Sequence, residues 1–135
     1  LEEFTEETEE TLVGFCVMGG IFSEGIDLTQ DRLIGAMIVG TGIPQVCNER
    51  EILKQYFGAE GFDYAYLYPG MNKVLQSAGR VICTEKDKGV ILLMDERFQS
   101  PHYRKMFPRE WSDCRRCTME NVTELLTEFW KKDPT

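Results

Sequence analysis

Gln76 and Arg80 stand four residues apart, the spacing that puts two side chains on one face of a helix. An amide and a guanidinium placed together suit a phosphate, because the planar fork of arginine matches phosphate oxygens in two-point hydrogen bonding. A second group, Ser23, Glu24 and Asp27, gathers a hydroxyl and two carboxylates within five positions. Carboxylates repel phosphate, so beside a nucleotide they are confined to a ribose hydroxyl, a metal ion or an arginine. Cys114-x-x-Cys117 has metal-ligand spacing, but a structural zinc needs four ligands and no second pair follows. No metal site is therefore expected. His102 is the sole imidazole and has no motif around it, which leaves a cysteine nucleophile without an evident base.

The elements that must hold these residues follow from pattern. Val74, Leu75, Ala78 and Ile82 form a narrow apolar stripe that predicts a helix with Gln76 and Arg80 on a different face, begun near Pro69. A charged turn, 84–88, and Gly89 lead to the continuous apolar run 90–94, which reads as a strand buried on both faces of a parallel sheet. Helix, turn and strand make half of an α/β unit, a class of fold in which ligands bind where loops leave the sheet. Residues 12–18 and 32–39 are two further strand candidates, the first ended by Gly19-Gly20 and the second by Gly40-Thr41-Gly42 and Pro44. Asn48 is placed to cap a helix reaching about Phe57, with Ile52, Leu53, Tyr56 and Phe57 on one side. Tyr64, Tyr66 and Tyr68 could stack on bases, but alternation at period two favours packing beside the sheet. Ser100 and Pro101 open a short helix to about Phe107, and Thr118 caps a last amphipathic helix.

The segment Gln76-Ser77-Ala78-Gly79-Arg80-Val81-Ile82 resembles the last motif of superfamily 2 helicases, and Gly19-Gly20-Ile21-Phe22-Ser23-Glu24-Gly25-Ile26-Asp27 resembles the motif before it. Ser-Glu-Gly-Ile-Asp followed about fifty residues later by Gln-x-x-Gly-Arg-x-Ile, with Asp87-x-Gly89 and Asp95-x-Arg97-Phe98 behind, is similar to the DinG/XPD branch of DNA helicases. The resemblance spans roughly residues 12–111 and implies a RecA-like parallel sheet flanked by helices: an incomplete second motor domain. It implies that Gly25, Asp27, Gln76, Gly79 and Arg80 face ATP, that Arg80 and Gln76 serve catalysis, and that Ser23 and Glu24 couple the site to single-stranded DNA. The family's motif ends with an arginine that reaches the γ-phosphate; here that position is Cys83.

No Gly-x-x-x-x-Gly-Lys-Ser/Thr phosphate loop occurs in the chain, so the resemblance implies half of a composite site. ATP and Mg2+ are expected mainly on a first motor domain of the same protein, with no cofactor held by this piece alone and no ATPase activity of its own. The other partner implied is single-stranded DNA, and a monomer is expected. A second reading stays open: a non-hydrolysing nucleic-acid or protein-interaction module that inherited the motor fold, to which Cys83 and the acidic balance point.

The chain has 135 residues, room for one cored domain and not for a two-lobed motor. Its net charge is −8, but six glutamates lie in residues 2–10, leaving −2 for the remainder. Residues 97–117 carry +4, so a basic segment sits on an otherwise acidic chain and can attract phosphate locally. Residues 1–11 read as an acidic leader or helix end, 12–117 as the RecA-like domain, and 118–135 as an amphipathic helix packing on it. Five cysteines in no regular framework suggest reduced thiols, and no apolar run is long enough for a membrane helix. A soluble cytoplasmic domain is expected.

Overall fold

The computed structural model describes residues 10–20, 32–85 and 87–131. Its centre is a parallel pair of strands, β1 (Gly35–Val39) and β2 (Val90–Met94), in the register Gly35 with Val90 through Val39 with Met94. Parallel strands need a crossover, and the chain between them supplies a helical one. Helix α1 (Asn48–Tyr56) is followed by a 3-10 turn (Gly58–Glu60), a π-helical turn (Asp63–Leu67) and helix α2 (Tyr68–Ala78). The fold is therefore a small α/β domain with a parallel two-stranded sheet, as a partial RecA-like domain requires.

Helix α2 lies against β1, and glycine sets how closely. A Cβ on Gly70 would come within 2.7 Å of the Thr41 carbonyl oxygen, and one on Gly42 within 2.7 Å of the Gly70 carbonyl. Gly42 also has φ +64, a conformation side chains rarely adopt. With both glycines bare, the first turn of α2 rests directly on the loop that leaves β1. The core then forms from Met71, Val74 and Ala78 of α2, Ala65, Tyr66 and Leu67 of the π turn, and Ile38 of β1.

Several elements differ from the pattern reading. Residues 12–18 are not a strand among the described residues; Phe15 is 97% and Val17 79% exposed. An extended segment without a neighbouring strand gains no ladder hydrogen bonds, and this one ends in a turn closed by the Gly20 amide donating to the Val17 carbonyl (3.0 Å), with Gly19 at φ +83. The second strand begins at Gly35 rather than residue 32, because β2 offers no partner before Val90. Strand β2 has the predicted bounds but is half-buried rather than buried on both faces. Only one helical layer covers the described sheet: Ile38 is 4% exposed, while Met37 and Val39, pointing the other way, are 66% and 71% exposed.

In α1 the N-cap is Cys47, not Asn48, and no side chain caps the helix. Glu49 and Glu51 in its first turn complement the helix dipole instead. Its apolar side is largely exposed, and polar bonds tie it to the π turn: Arg50 Nη1 donates to the Ala65 carbonyl at 2.6 Å and the Tyr66 hydroxyl to Glu51 Oε1 at 2.6 Å. The tyrosine run does not alternate beside the sheet. Three successive residues, Ala65 to Leu67, are buried on a π-helical turn rather than every second one as alternation beside the sheet would give. Helix α3 (Pro101–Arg104) stops short of Phe107; Ser100 caps it, accepting from the Tyr103 amide at 3.4 Å.

The chain divides into two units, Leu1–Arg104 and Lys105–Thr135. The second holds a 3-10 turn (Arg109–Trp111) and helix α4 (Val122–Lys131). Thr118 lies in the turn before α4, its Oγ1 accepting from the Glu120 amide at 3.3 Å. The basic residues of 97–117 are divided between the units. Among the described residues no helix is long and apolar enough to cross a membrane.

Candidate nucleotide-facing turn

Helix α2 ends at Ala78, one turn earlier than the pattern reading placed it. Gly79 is its C-cap, its amide donating to the Leu75 carbonyl at 2.9 Å. Arg80 therefore does not share a helix face with Gln76; it stands in the turn beyond, its amide 3.4 Å from the Ser77 carbonyl. Gln76 and Gly79 are exposed and Arg80 is half-buried.

The next residue fixes that turn. Val81 is 1% exposed, and Ile82, predicted to be part of the apolar stripe, faces solvent instead. A Cβ on Gly89 would collide with Val81 Cγ1 and crowd the Ile34 carbonyl. Glycine at 89 thus lets Val81 seat against the entrance to β2, beside the bond from the Val90 amide to the Ile34 carbonyl (3.0 Å). The Arg80 turn consequently enters the sheet, at the amino ends of the strands. It is not one of the loops that leave the sheet, where the α/β pattern led us to expect it.

Beyond Val81 a carboxylate completes the brace. Asp87 Oδ2 accepts from the amides of Cys83 (2.8 Å) and Thr84 (2.7 Å), and its own amide donates to the Thr84 carbonyl at 3.2 Å. The Cys83 thiol folds back toward the Gly79 and Arg80 carbonyls, at 3.6 and 3.5 Å. Sequence reasoning used Asp87 only as part of a motif. Its signal was a carboxylate three residues beyond Thr84 in a charged turn, where Asp commonly bonds nearby amides.

At the other end of β2, Asp95 caps the 3-10 turn Glu96–Gln99 and binds Arg97 by two parallel bonds, Nε to Oδ1 at 2.8 Å and Nη2 to Oδ2 at 2.7 Å. The Arg97 hydrogen bonds hold the Asp95 carboxyl below the usual carboxylate range, and Asp95 in turn pushes the guanidinium up. Arg97 is thereby committed to its neighbour. Ser23, Glu24, Gly25 and Asp27 lie outside the described residues. Cys114 is exposed, and the described residues include no group of three or more ligands able to hold a metal ion.

The parallel two-stranded sheet with its helical crossover is consistent with part of a RecA-like helicase domain. The chain belongs to the helicase C-terminal domain family, which it matches over residues 1–114, and within it to the DinG/XPD type. It is 30% identical over 105 residues to the "Probable ATP-dependent helicase MJ0942" of Methanocaldococcus jannaschii, covering 69% of this chain and 16% of that protein. It is 28% identical over 130 residues to the "Regulator of telomere elongation helicase 1 homolog" of Caenorhabditis briggsae (86% of this chain, 13% of that one). A homolog of the same name from Culex quinquefasciatus is 32% identical over 101 residues, 68% of this chain and 10% of its own. The chain thus spans about a sixth or less of the length of these relatives.

On this turn Arg80 is half-buried and Gln76 exposed, while the Cys83 and Thr84 amides are taken up by the Asp87 carboxylate.

Proposed function

We propose that this chain is the second motor half of an ATP-dependent DNA helicase of the DinG/XPD type. One observation carries the reading: the Gln-x-x-Gly-Arg segment of a helicase C-terminal domain ends a helix whose following turn is braced by Val81 on one side and Asp87 on the other. ATP with Mg2+, when bound, supplies the transferable phosphoryl group, with its main cradle on the first motor domain. From this side Arg80 donates to phosphate oxygens, where charge develops during transfer, and Gln76 orients the same group. Gly79, with no side chain, leaves room for that approach. By family resemblance Gly25 and Asp27 face the nucleotide, and Ser23 and Glu24 couple it to single-stranded DNA. Lobe closure then carries the strand. Without a phosphate loop the chain alone does not hydrolyse ATP.

The test is DNA-stimulated ATPase activity of the full-length protein. Arg80→Ala is expected to lower its rate by about a hundredfold or more, the scale of losing a charge-stabilising donor. Absence of any DNA-stimulated hydrolysis, persisting in Cys83→Arg, overturns the reading. Cys83 favours a second one, because a thiol cannot stand in for a permanent cation: a non-hydrolysing module on the same fold. That protein would bind single-stranded DNA with affinity falling linearly in log salt and would show no turnover.

A further inference from the structure

Four aromatic rings form a continuous exposed stripe on the crossover, away from the Arg80 turn in sequence and unused by the motor reading. Tyr56 and Phe57 meet edge to face at 5.1 Å, Phe57 and Tyr64 stack at 4.3 Å, and Tyr64 and Tyr68 meet edge to face at 5.3 Å. All remain accessible: Tyr56 is 81% exposed, Phe57 38%, Tyr64 42% and Tyr68 41%. The π turn makes the stripe, since it carries Tyr64 and leads directly into Tyr68 at the start of α2. A contiguous aromatic surface rimmed by polar groups marks an interaction site more often than a bare solvent face.

Charge decides what fits it. Residues 56–68 contain two acids, Glu60 and Asp63, and no base. Asp63 directly precedes Tyr64 on the π turn and Glu60 lies in the 3-10 turn just before it, and the Tyr68 hydroxyl is raised above its ordinary range, first by burial and then by the charges of Asp63, Tyr64 and Glu60. Asp63 also meets His102, whose Nε2 lies 3.0 Å from its Oδ1, and Lys54 is engaged with Glu51 at 3.4 Å. A nucleic-acid strand needs cations along its phosphates as well as rings under its bases, and here its phosphates would face carboxylates. A cation gains on both counts: the ring faces carry negative quadrupole charge and the acids add to it.

We propose that the Tyr56–Phe57–Tyr64–Tyr68 stripe is a docking face for an arginine- or lysine-bearing segment of a partner protein, its cationic heads over the ring faces and beside Glu60 and Asp63. Arginine suits the site better than lysine, because its planar, weakly hydrated head stacks on a ring.

The experiment uses the full-length protein and three fluorescein-labelled probes: a short peptide alternating arginine with glycine, its lysine counterpart, and a short oligothymidylate. The arginine peptide is expected to bind more tightly than the lysine one, and Tyr64→Leu with Tyr68→Leu to weaken it by about tenfold, the loss of two ring–cation contacts. Should that pair of changes unfold the protein, Tyr56→Leu and Glu60→Gln, both at exposed positions, are each expected to weaken binding by about threefold. An arginine peptide that fails to bind, or that binds all variants like the parent, overturns the proposal. So does oligothymidylate binding that is lost in the ring variants while peptide binding is not.

Discussion

Asp87→Ala removes a carboxylate that closes the Arg80 turn, and the size of its effect can be worked from the geometry. The bonds lost include those from the amides of Cys83 at 2.8 Å and Thr84 at 2.7 Å. Bonds to an ionised acceptor contribute about 1.5–3 kcal/mol each where water is excluded, but these amides belong to exposed residues that water can reach, so the pair together stabilises the turn by about 1–2 kcal/mol. At 1.4 kcal/mol per factor of ten, that raises the open population of the turn by about five- to thirtyfold. Global stability should change little, because Val81 and β2 keep their packing. Asp87→Asn keeps one neutral acceptor and should fall between the two. Hydrogen exchange at the Cys83 and Thr84 amides reads the effect directly, and the ATPase rate of full-length protein reads its consequence at Arg80. If exchange at both amides is the same in Asp87→Ala as in the parent, the brace does not hold the turn. A fall in ATPase with unchanged exchange would mean that Asp87 acts on the nucleotide itself.

Three further outcomes follow from single contacts. Because the Asp95 carboxyl is held low, the stability it provides is present above its unfolded value of about 3.9 and is lost as pH falls through the lower folded value; Asp95→Asn should cost about 1 kcal/mol at neutral pH, and thermal melts of the two proteins should converge in acid. Tyr66 is pushed up to about 12, chiefly by its bond to Glu51, so ultraviolet titration should show one phenol ionising last, and the stability that bond lends should be present below pH 10 and disappear as pH rises toward 12; Glu51→Gln should bring that phenol down. The Thr41 hydroxyl is buried with no hydrogen-bond partner among the described residues, so Thr41→Val should raise the denaturant midpoint, by about 1 kcal/mol of stability, and a loss would reveal a partner for that hydroxyl.

The sequence told most where a local rule and the tertiary demand agreed. Val90–Met94 is apolar, branched and bounded by Gly89 and Asp95, and it is a strand over those residues. Pro69 sits at the second position of α2 as the pattern places it, though the π turn before it is already helical. Pattern failed where a contact from elsewhere decided the outcome. Residues 12–18 have a strand's composition, but composition supplies no neighbour to pair with. Tyr64, Tyr66 and Tyr68 keep a period of two, yet they lie on the helical crossover between β1 and β2, where the period of two carries no alternation of faces. Spacing puts Arg80 on the helix, because spacing cannot reveal that Val81 is pulled into the space Gly89 leaves. The helix must unwind before Val81 can reach it, and Gly79 is where it does.

Arg80 is thus held from two directions that meet at one turn. From the helix side, the bare contact of Gly42 with Gly70 sets α2 on β1 and so fixes where Gly79 ends it. From the sheet side, the register of β2 on β1 places Gly89, Gly89 seats Val81, and Asp87 draws in the amides beyond. Neither route passes through the face of the sheet that carries Met37 and Val39, which the described structure leaves exposed. A second layer laid over that face would bury more surface without moving the turn. The geometry at Arg80 therefore belongs to this chain.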